Sequence, residues 1–353
     1  MWDDDGKSYP DYDRAKVDET TRMSCRACSK EYADNPINRR TLSESGVYVP
    51  TNDAPEKGHR GFHVSALALI HVPWSRLVHE YKEAVARMQR GDDVLMRAFK
   101  MKRLAQFWKD SVDDNRAELT GSEYSLSEYE NGEKIDGESY RFLTVDRQQD
   151  HFWAGIRAWR VDGSSRLLLY RKIITWEMLS ELQDRYKIPP QLVFIDAGFQ
   201  TPAVYAACAK NGWTALHGSQ ENGFAHRPKN GPKVRKFFSP IQIAQVAAGS
   251  LRYVFWSNRR VKDVLVTLRN GKGVPWEYPA DAPPSWRDQI DSEVCKEVIN
   301  KGTGHNEMRW VKIKRDNHAW DVECMQVAAA MMARILGDGS ETIGGDDEHG
   351  KNG

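Results

Sequence analysis

The sequence predicts an α/β fold, a mixed β-sheet with helices on both faces. Three observations predict it. Between residues 140 and 174 three strand-length runs follow one another closely. From residue 175 onward helical and strand patterns alternate. Gln191-Leu192-Val193-Phe194-Ile195-Asp196 is almost wholly apolar before its terminal acid, as a strand covered on both faces must be.

In chain order, the first forty residues are polar and weakly periodic, and contain Cys25-Arg26-Ala27-Cys28. From Gly61 the chain turns apolar, with Phe62, Val64, Leu67, Leu69 and Ile70 ahead of Pro73. Leu77, Val78, Tyr81, Val85 and Met88 then recur at three- and four-residue spacing, which puts them on one helix face. Gly91-Asp92-Asp93 interrupts that helix, and Asp93 is placed to cap a second one running through Trp108. Residues 110–138 are polar and acidic, carry Gly121, Gly132 and Gly137, and read as a linker. Residues 141–146, 151–161 and 166–174 are the three strands, and Asp162-Gly163-Ser164-Ser165 turns the second into the third. Thr175 caps a helix to about Tyr186, which Pro189-Pro190 ends. After the apolar strand come a helix over 201–211, a strand near 213–216, a strand at 253–256 and helices over 261–268 and 284–299. A strand at 308–314 and a helix over 317–336 complete the pattern. A right-handed crossover out of the third strand sets the fourth beside the first. The expected organisation is a polar segment 1–60, a helical linker region 61–138, an α/β domain 139–336 and a disordered acidic tail 337–353.

Composition excludes several classes. No apolar run approaches the roughly 20 residues needed to cross a bilayer. The acidic start, Met1-Trp2-Asp3-Asp4-Asp5, lacks the apolar core of a signal peptide. Five cysteines with one close pair do not make a secreted disulfide framework, so an intracellular, reducing location is expected. The net charge of +1 is uninformative, but its distribution is not. From Asn222 to Pro240 there is no carboxylate, while Arg227, Lys229, Lys233, Arg235 and Lys236 cluster there beside His226. Arg252, Arg259, Arg260, Lys262, Arg269 and Lys272 form a second group. Such clusters suit phosphates, although a solvated face accounts for them equally well.

Three carboxylates stand where a site is built. Asp146 ends the first strand, Asp196 ends the fourth, and Asp321 lies in the first turn of the last helix. With the first and fourth strands adjacent, Asp146 and Asp196 lie side by side, and like charges that close are costly unless a cation sits between them. Hard oxygen ligands in a partly open site suit Mg²⁺ or Mn²⁺, and two such ions about 3.5–4 Å apart serve phosphodiester hydrolysis. Taken singly, each aspartate also suits a turn or a helix N-terminus.

Longer strings carry a resemblance. Gly61-Phe62-His63-Val64-Ser65-Ala66-Leu67 with Pro73-Trp74, and Arg97-Ala98-Phe99 through Gln106-Phe107-Trp108, resemble the linker of large terminase subunits of lambda-like tailed bacteriophages. Thr144-Val145-Asp146-Arg147-Gln148 and Phe194-Ile195-Asp196-Ala197-Gly198 are similar to the first two acidic motifs of their C-terminal nuclease portion. Asn317-His318-Ala319-Trp320-Asp321, followed by Ala328-Ala329-Ala330, resembles the third. Trp286-Arg287-Asp288-Gln289-Ile290, with Glu293 after it, resembles a late family segment. The resemblance runs from about Cys25 to Leu336 and rests on the order and spacing of the strings together.

It implies a ribonuclease-H-like, metal-dependent endonuclease that cuts double-stranded concatemeric viral DNA during packaging in the host cytoplasm. Asp146, Asp196 and Asp321 are then catalytic and hold Mg²⁺ or Mn²⁺, with Asp150, His318 and Glu323 as assistants. Arg227, Lys229, Lys233, Arg235 and Lys236 follow the DNA backbone. The implied partners are double-stranded DNA, the terminase ATPase domain, the small terminase subunit and the portal or procapsid. The ATPase half is absent: Gly271-Lys272 is followed by Gly273 and Gly350-Lys351 by Asn352, so no G-x-x-x-x-G-K-[ST] loop is present and no ATP hydrolysis is expected. Cys25 and Cys28 supply half of a tetrahedral zinc site. The resemblance sets their partner pair upstream of residue 1, so bound zinc is not the leading expectation. Cys208, Cys295 and Cys324 fall in expected helices and read as buried core thiols. Two other readings share these features: another ribonuclease-H-like enzyme, such as a resolvase or transposase, and a non-catalytic module that docks on DNA or portal.

Overall fold

The computed structural model describes residues 1–25, 28–49, 62–90, 92–108, 136–228, 231–271, 273–299 and 306–342. The chain forms two compact units, one of residues 1–89 and 93–109, the other of residues 90–92 and 110–353.

The first unit holds α1 (Arg14–Thr20), a ribbon of β1 (Arg22–Ser24) and β2 (Glu31–Ala33), α2 (Pro36–Glu44), α3 (Trp74–Gln89) and α4 (Val94–Ala98). Asp13 caps α1 and Asn35 caps α2, each accepting a backbone N–H three residues on. α3 buries Trp74, Leu77, Val78 and Ala84; of the expected face Val85 and Met88 are half-buried and Tyr81 is exposed. Within this unit Tyr12 and Val17 of the polar segment bury against Val78. The Tyr12 hydroxyl bonds His79 Nδ1 at 2.6 Å, and Lys82 pairs with Asp4. The second helix ends sooner than its pattern predicts, passing at Phe99 into a π-helical turn to Arg103. Asp93 precedes α4 but does not cap it; its carboxylate takes Arg97 Nη2 at 3.1 Å instead. The expected linker 110–138 lies outside the described residues but for 136–138.

The second unit begins with β3 (Tyr140–Arg147), β4 (Phe152–Trp159) and β5 (Ser165–Ile173), an antiparallel meander. Asp162 accepts from Ser164 in the β4–β5 turn and Gly163 supplies a φ of 92° there, as the turn signal requires. Thr175 caps α5 (Trp176–Arg185). Then follow β6 (Val193–Asp196), α6 (Thr201–Asn211), β7 (Thr214–Ser219), β8 (Phe224–His226), β9 (Val234–Lys236), β10 (Gln242–Val246) and β11 (Gly249–Ser257). The remaining elements are α7 (Asn258–Arg269), β12 (Trp276–Glu277), α8 (Pro284–Ile290), β13 (Glu293–Ile299), β14 (Asn306–Lys312), α9 (His318–Met332) and β15 (Glu341–Thr342).

The main sheet has eight strands in the order β10-β11-β7-β6-β3-β4-β5-β12. Strands β6, β7 and β11 join β3 in parallel, and β6 lies beside β3 with Val145 opposite Ile195, as the crossover argument expects. This mixed sheet flanked by helices is consistent with a ribonuclease-H-like nuclease fold. Period-two alternation sorts the faces. Leu143, Val145, Ile195 and Ala215 bury against Leu179 and Leu182 of α5 and Val204 and Cys208 of α6. On the other face Thr144 Oγ1 donates to the Val322 carbonyl of α9, and Gln326 of α9 donates to the Phe142 and Gly155 carbonyls. α9 is apolar around its circumference and nearly all buried, which makes it the central helix of that face.

The helix expected over 284–299 stops at Ile290, and Glu293–Ile299 is a strand paired antiparallel with β14, Cys295 opposite Trp310. Val294, Val298 and Ile299 are β-branched, which suits the ribbon, and Cys295 is a half-buried strand residue and not a core helix thiol. Cys208 and Cys324 are buried as expected. The basic segment forms strands: β8 and β9 pair within it and β15 adds to β9. The tail expected to be disordered from Gly337 thus enters the fold as far as Thr342, while 343–353 lie outside the described residues. No helix among the described residues is long and apolar enough to cross a membrane.

Candidate functional site

The register of β3 and β6 creates the site. Val145 lies opposite Ile195, so Asp146 and Asp196 stand one step further on, on the same face of neighbouring parallel strands. That face is the one α9 covers, and Asp321 sits in the first turn of α9. α9 approaches closely because Gly155 lacks a side chain: a Cβ there would stand 2.4 Å from Val322 Cγ1.

Asp146 is 4% exposed, and its Oδ2 accepts from Gln148 Nε2 at 2.8 Å and from His318 Nδ1 at 2.7 Å. The His318 ring stacks on Trp153 at 5.8 Å, and Trp153 stacks on Tyr170 at 5.1 Å. The Tyr170 hydroxyl donates to Gln289 Oε1 at 2.7 Å, and burial among carboxylates pushes its pKa far up. Asp196 accepts from the Gly198 N–H at 3.3 Å. Burial first, and the Asp146 charge second, push its carboxyl up to about 6. Asp321 is driven well above the usual carboxylate range, by burial first and then by Asp146, with Glu293 and Asp196 adding and Lys262 opposing. Its Oδ2 accepts from Asn317 Nδ2 at 2.8 Å. The same amide reaches Glu293 Oε1 at 3.2 Å, and Glu293 Oε2 is held by Lys262 Nζ at 2.6 Å.

The aspartates therefore feel one another's charge, which is the condition a cation relieves. Hard oxygen donors of this kind fit Mg²⁺ or Mn²⁺. As the side chains stand, no three His, Cys, Asp or Glu residues among the described ones are grouped to grip a single ion. Asp146 is turned to His318 and Gln148, and Asp321 to Asn317.

The other expected residues divide. His318 belongs to the site, touching Asp146. Asp150 is exposed and bound to its neighbour His151. Glu323 is fully buried and committed to Arg157 in a two-pronged pair at 2.9 and 3.1 Å within the core. Cys25 and Cys28 flank the β1–β2 turn, and no third ligand-type side chain joins them among the described residues. Arg227, Lys233 and Arg235 are exposed, whereas Lys236 is tied to Asp338 at 2.6 Å and Lys229 lies outside the described residues. The second basic group is dispersed by internal bonds: Arg252 to the Gly212 carbonyl, Arg269 to Asp291 and Lys262 to Glu293. Lys272 lies outside the described residues.

Sequence reasoning missed Glu293 and Lys262 as members of the site. Glu293 was hidden by the helix assigned to its segment, and Lys262 by its place in a basic cluster. No local pattern reveals the first: Val294, Cys295, Val298 and Ile299 keep a helix-like spacing, and only the pairing with Asn306–Lys312 makes the segment a strand.

No match was found among curated proteins or among solved structures. The family profile described as terminase large subunit gpA, endonuclease domain, matches residues 59–338, well over half of the chain and all of the site. The chain thus belongs to the family of the terminase large subunit gpA endonuclease domain, whose role in packaging is that of a nuclease.

Proposed function

We propose that this chain is a metal-dependent endodeoxyribonuclease that hydrolyses phosphodiester bonds of double-stranded concatemeric viral DNA during genome packaging. The observation that carries the reading is the mutual electrostatic burden of Asp146, Asp196 and Asp321 at one end of a mixed sheet. Buried like charges persist where a cation offsets them. Asp146, Asp196 and Asp321 would hold Mg²⁺ or Mn²⁺, whose bound form activates water and stabilises the leaving oxygen. The chain's own residues do the rest. His318, fixed by its stack on Trp153, orients Asp146. Strand ends and the first turn of a buried helix keep the carboxylates on rigid elements. The exposed Arg227, Lys233 and Arg235 offer charge to the DNA backbone, an affinity without sequence preference, so the start site would be found by the small terminase subunit. The terminase ATPase domain and the portal or procapsid complete the partners of this reading.

A plasmid nicking and linearisation assay with Mg²⁺, Mn²⁺ and EDTA, alongside Asp196→Ala, tests it. Cleavage that requires the metal and disappears in the variant supports the reading. Folded protein that binds DNA but never cuts it with either metal favours a docking module.

A further inference from the structure

Four carboxylates converge near this site, and the fourth is treated differently from the others. Glu293 opens β13 with its side chain 7% exposed, and both of its oxygens are engaged. Oε2 meets Lys262 Nζ of α7 at 2.6 Å, and Oε1 accepts from Asn317 Nδ2 at 3.2 Å. Asn317 is held from its other end as well, because its Oδ1 accepts from Lys312 Nζ at 2.7 Å. A lysine on the oxygen and two carboxylates on the nitrogen leave only one orientation for that amide. The nitrogen so fixed takes one of the two Asp321 oxygens at 2.8 Å.

We propose that Lys262 and Glu293 are positioning residues for Asp321: their buried ion pair sets the Asn317 amide, and the amide sets the Asp321 carboxylate. The inference rests on the metal-binding reading of Asp146, Asp196 and Asp321. Glu293 is then not a ligand, since the ammonium at its side already neutralises it and would repel a second cation. Lys262 keeps a fourth negative charge from being buried without a partner, which would cost more than the pair gains. Partners that orient a ligand in this way govern metal affinity nearly as strongly as the ligand does.

The test is Mn²⁺ binding to the full chain without DNA, followed by calorimetry or by the paramagnetic resonance signal of free Mn²⁺. Thermal unfolding in EDTA checks that each variant is folded. Lys262→Met is expected to weaken Mn²⁺ binding by about tenfold or more. Asp196→Asn, the control for the underlying reading, is expected to lose binding outright. The double variant Lys262→Met with Glu293→Gln carries no buried charge there, and the amide oxygen that replaces the carboxylate still accepts from Asn317. It should therefore recover to within about threefold of the unaltered chain, a coupling that only the relay predicts. Because the double variant removes both charges together, it also serves where a single variant fails to fold. Lys262→Met that binds Mn²⁺ as tightly as the unaltered chain, while Asp196→Asn does not, overturns the relay alone. A double variant as weak as Glu293→Gln makes Glu293 a ligand and likewise overturns it. Undiminished binding in Asp196→Asn removes the metal-site reading, and the relay with it.

Discussion

At Asp196 the site works against the stability of the chain. Its carboxyl lies at about 6, above the ordinary 3.8, because burial and the Asp146 charge oppose ionisation. Between those two values the folded state binds the proton more tightly than the unfolded chain does. Stability therefore falls as pH rises from about 4 to about 6 and stays lower above that range. The shift amounts to at most about 3 kcal/mol. Asp196→Asn is accordingly expected to raise Tm in EDTA at pH 7.5 by several degrees, at roughly 2–4 °C per kcal/mol, while abolishing cleavage. The gain should shrink below pH 4, where the aspartate is protonated in both states. Scanning calorimetry at the two pH values decides it, and a Tm for Asp196→Asn below that of the unaltered chain at pH 7.5 would sink the argument. For the same reason Mn²⁺ should raise the Tm of the unaltered chain more at pH 7.5 than at pH 5.

At the scale of elements, the placement of α9 decides where Asp321 stands. Gly155 of β4 lets Val322 seat against the sheet, and a methyl group there would meet a stiff β-branched side chain and not a flexible one. Gly155→Ala should cost about 1–3 kcal/mol by overpacking, and should lower cleavage per folded molecule because Asp321 is one residue from the displaced contact. Denaturant unfolding and the plasmid assay separate the two effects; unchanged stability would show that α9 accommodates the methyl. Glu323 offers the contrast. Its partner Arg157 is wholly buried and also donates to Ser165 and to the Glu277 carbonyl, so Glu323→Gln leaves a guanidinium charge uncompensated in the core. A loss of about 3–5 kcal/mol is expected from urea unfolding. Metal binding at temperatures where the variant remains folded should survive it. If Glu323→Gln left stability intact and removed Mn²⁺ binding, Glu323 would return to the site.

For the whole molecule, a net charge of +1 gives no long-range attraction for DNA, so binding must come from local charge. Arg227, Lys233 and Arg235 are exposed on and beside the β8–β9 hairpin, whereas Lys236 is neutralised by Asp338. Lys233→Ala and Arg235→Ala should each weaken binding to duplexes of any sequence and lower the magnitude of the log K against log salt slope by about 1. Lys236→Ala should leave that slope unchanged and reduce stability instead. Equal slopes for all three variants, read by fluorescence anisotropy across a salt series, would remove this hairpin from the DNA path.

Much of the architecture was legible in the chain. The meander, the apolar fourth strand, the Thr175 cap, the helix at 201–211 and the order of the three aspartates follow from local periodicity and turn chemistry, which neighbouring residues impose. The adjacency of the first and fourth strands followed as well, because crossover handedness leaves few ways to seat the fourth strand. What escaped is what distant residues decide. Glu293–Ile299 is a strand because Asn306–Lys312 pairs with it, and Lys236 is tied up because Asp338 returns to meet it. The grouping of Lys262, Glu293, Asn317 and Asp321 joins α7, β13 and α9, whose meeting no local pattern encodes. Propensity and periodicity act over a few residues, whereas the charge balance of a buried site is set by whichever side chains the packed fold brings within a few ångströms.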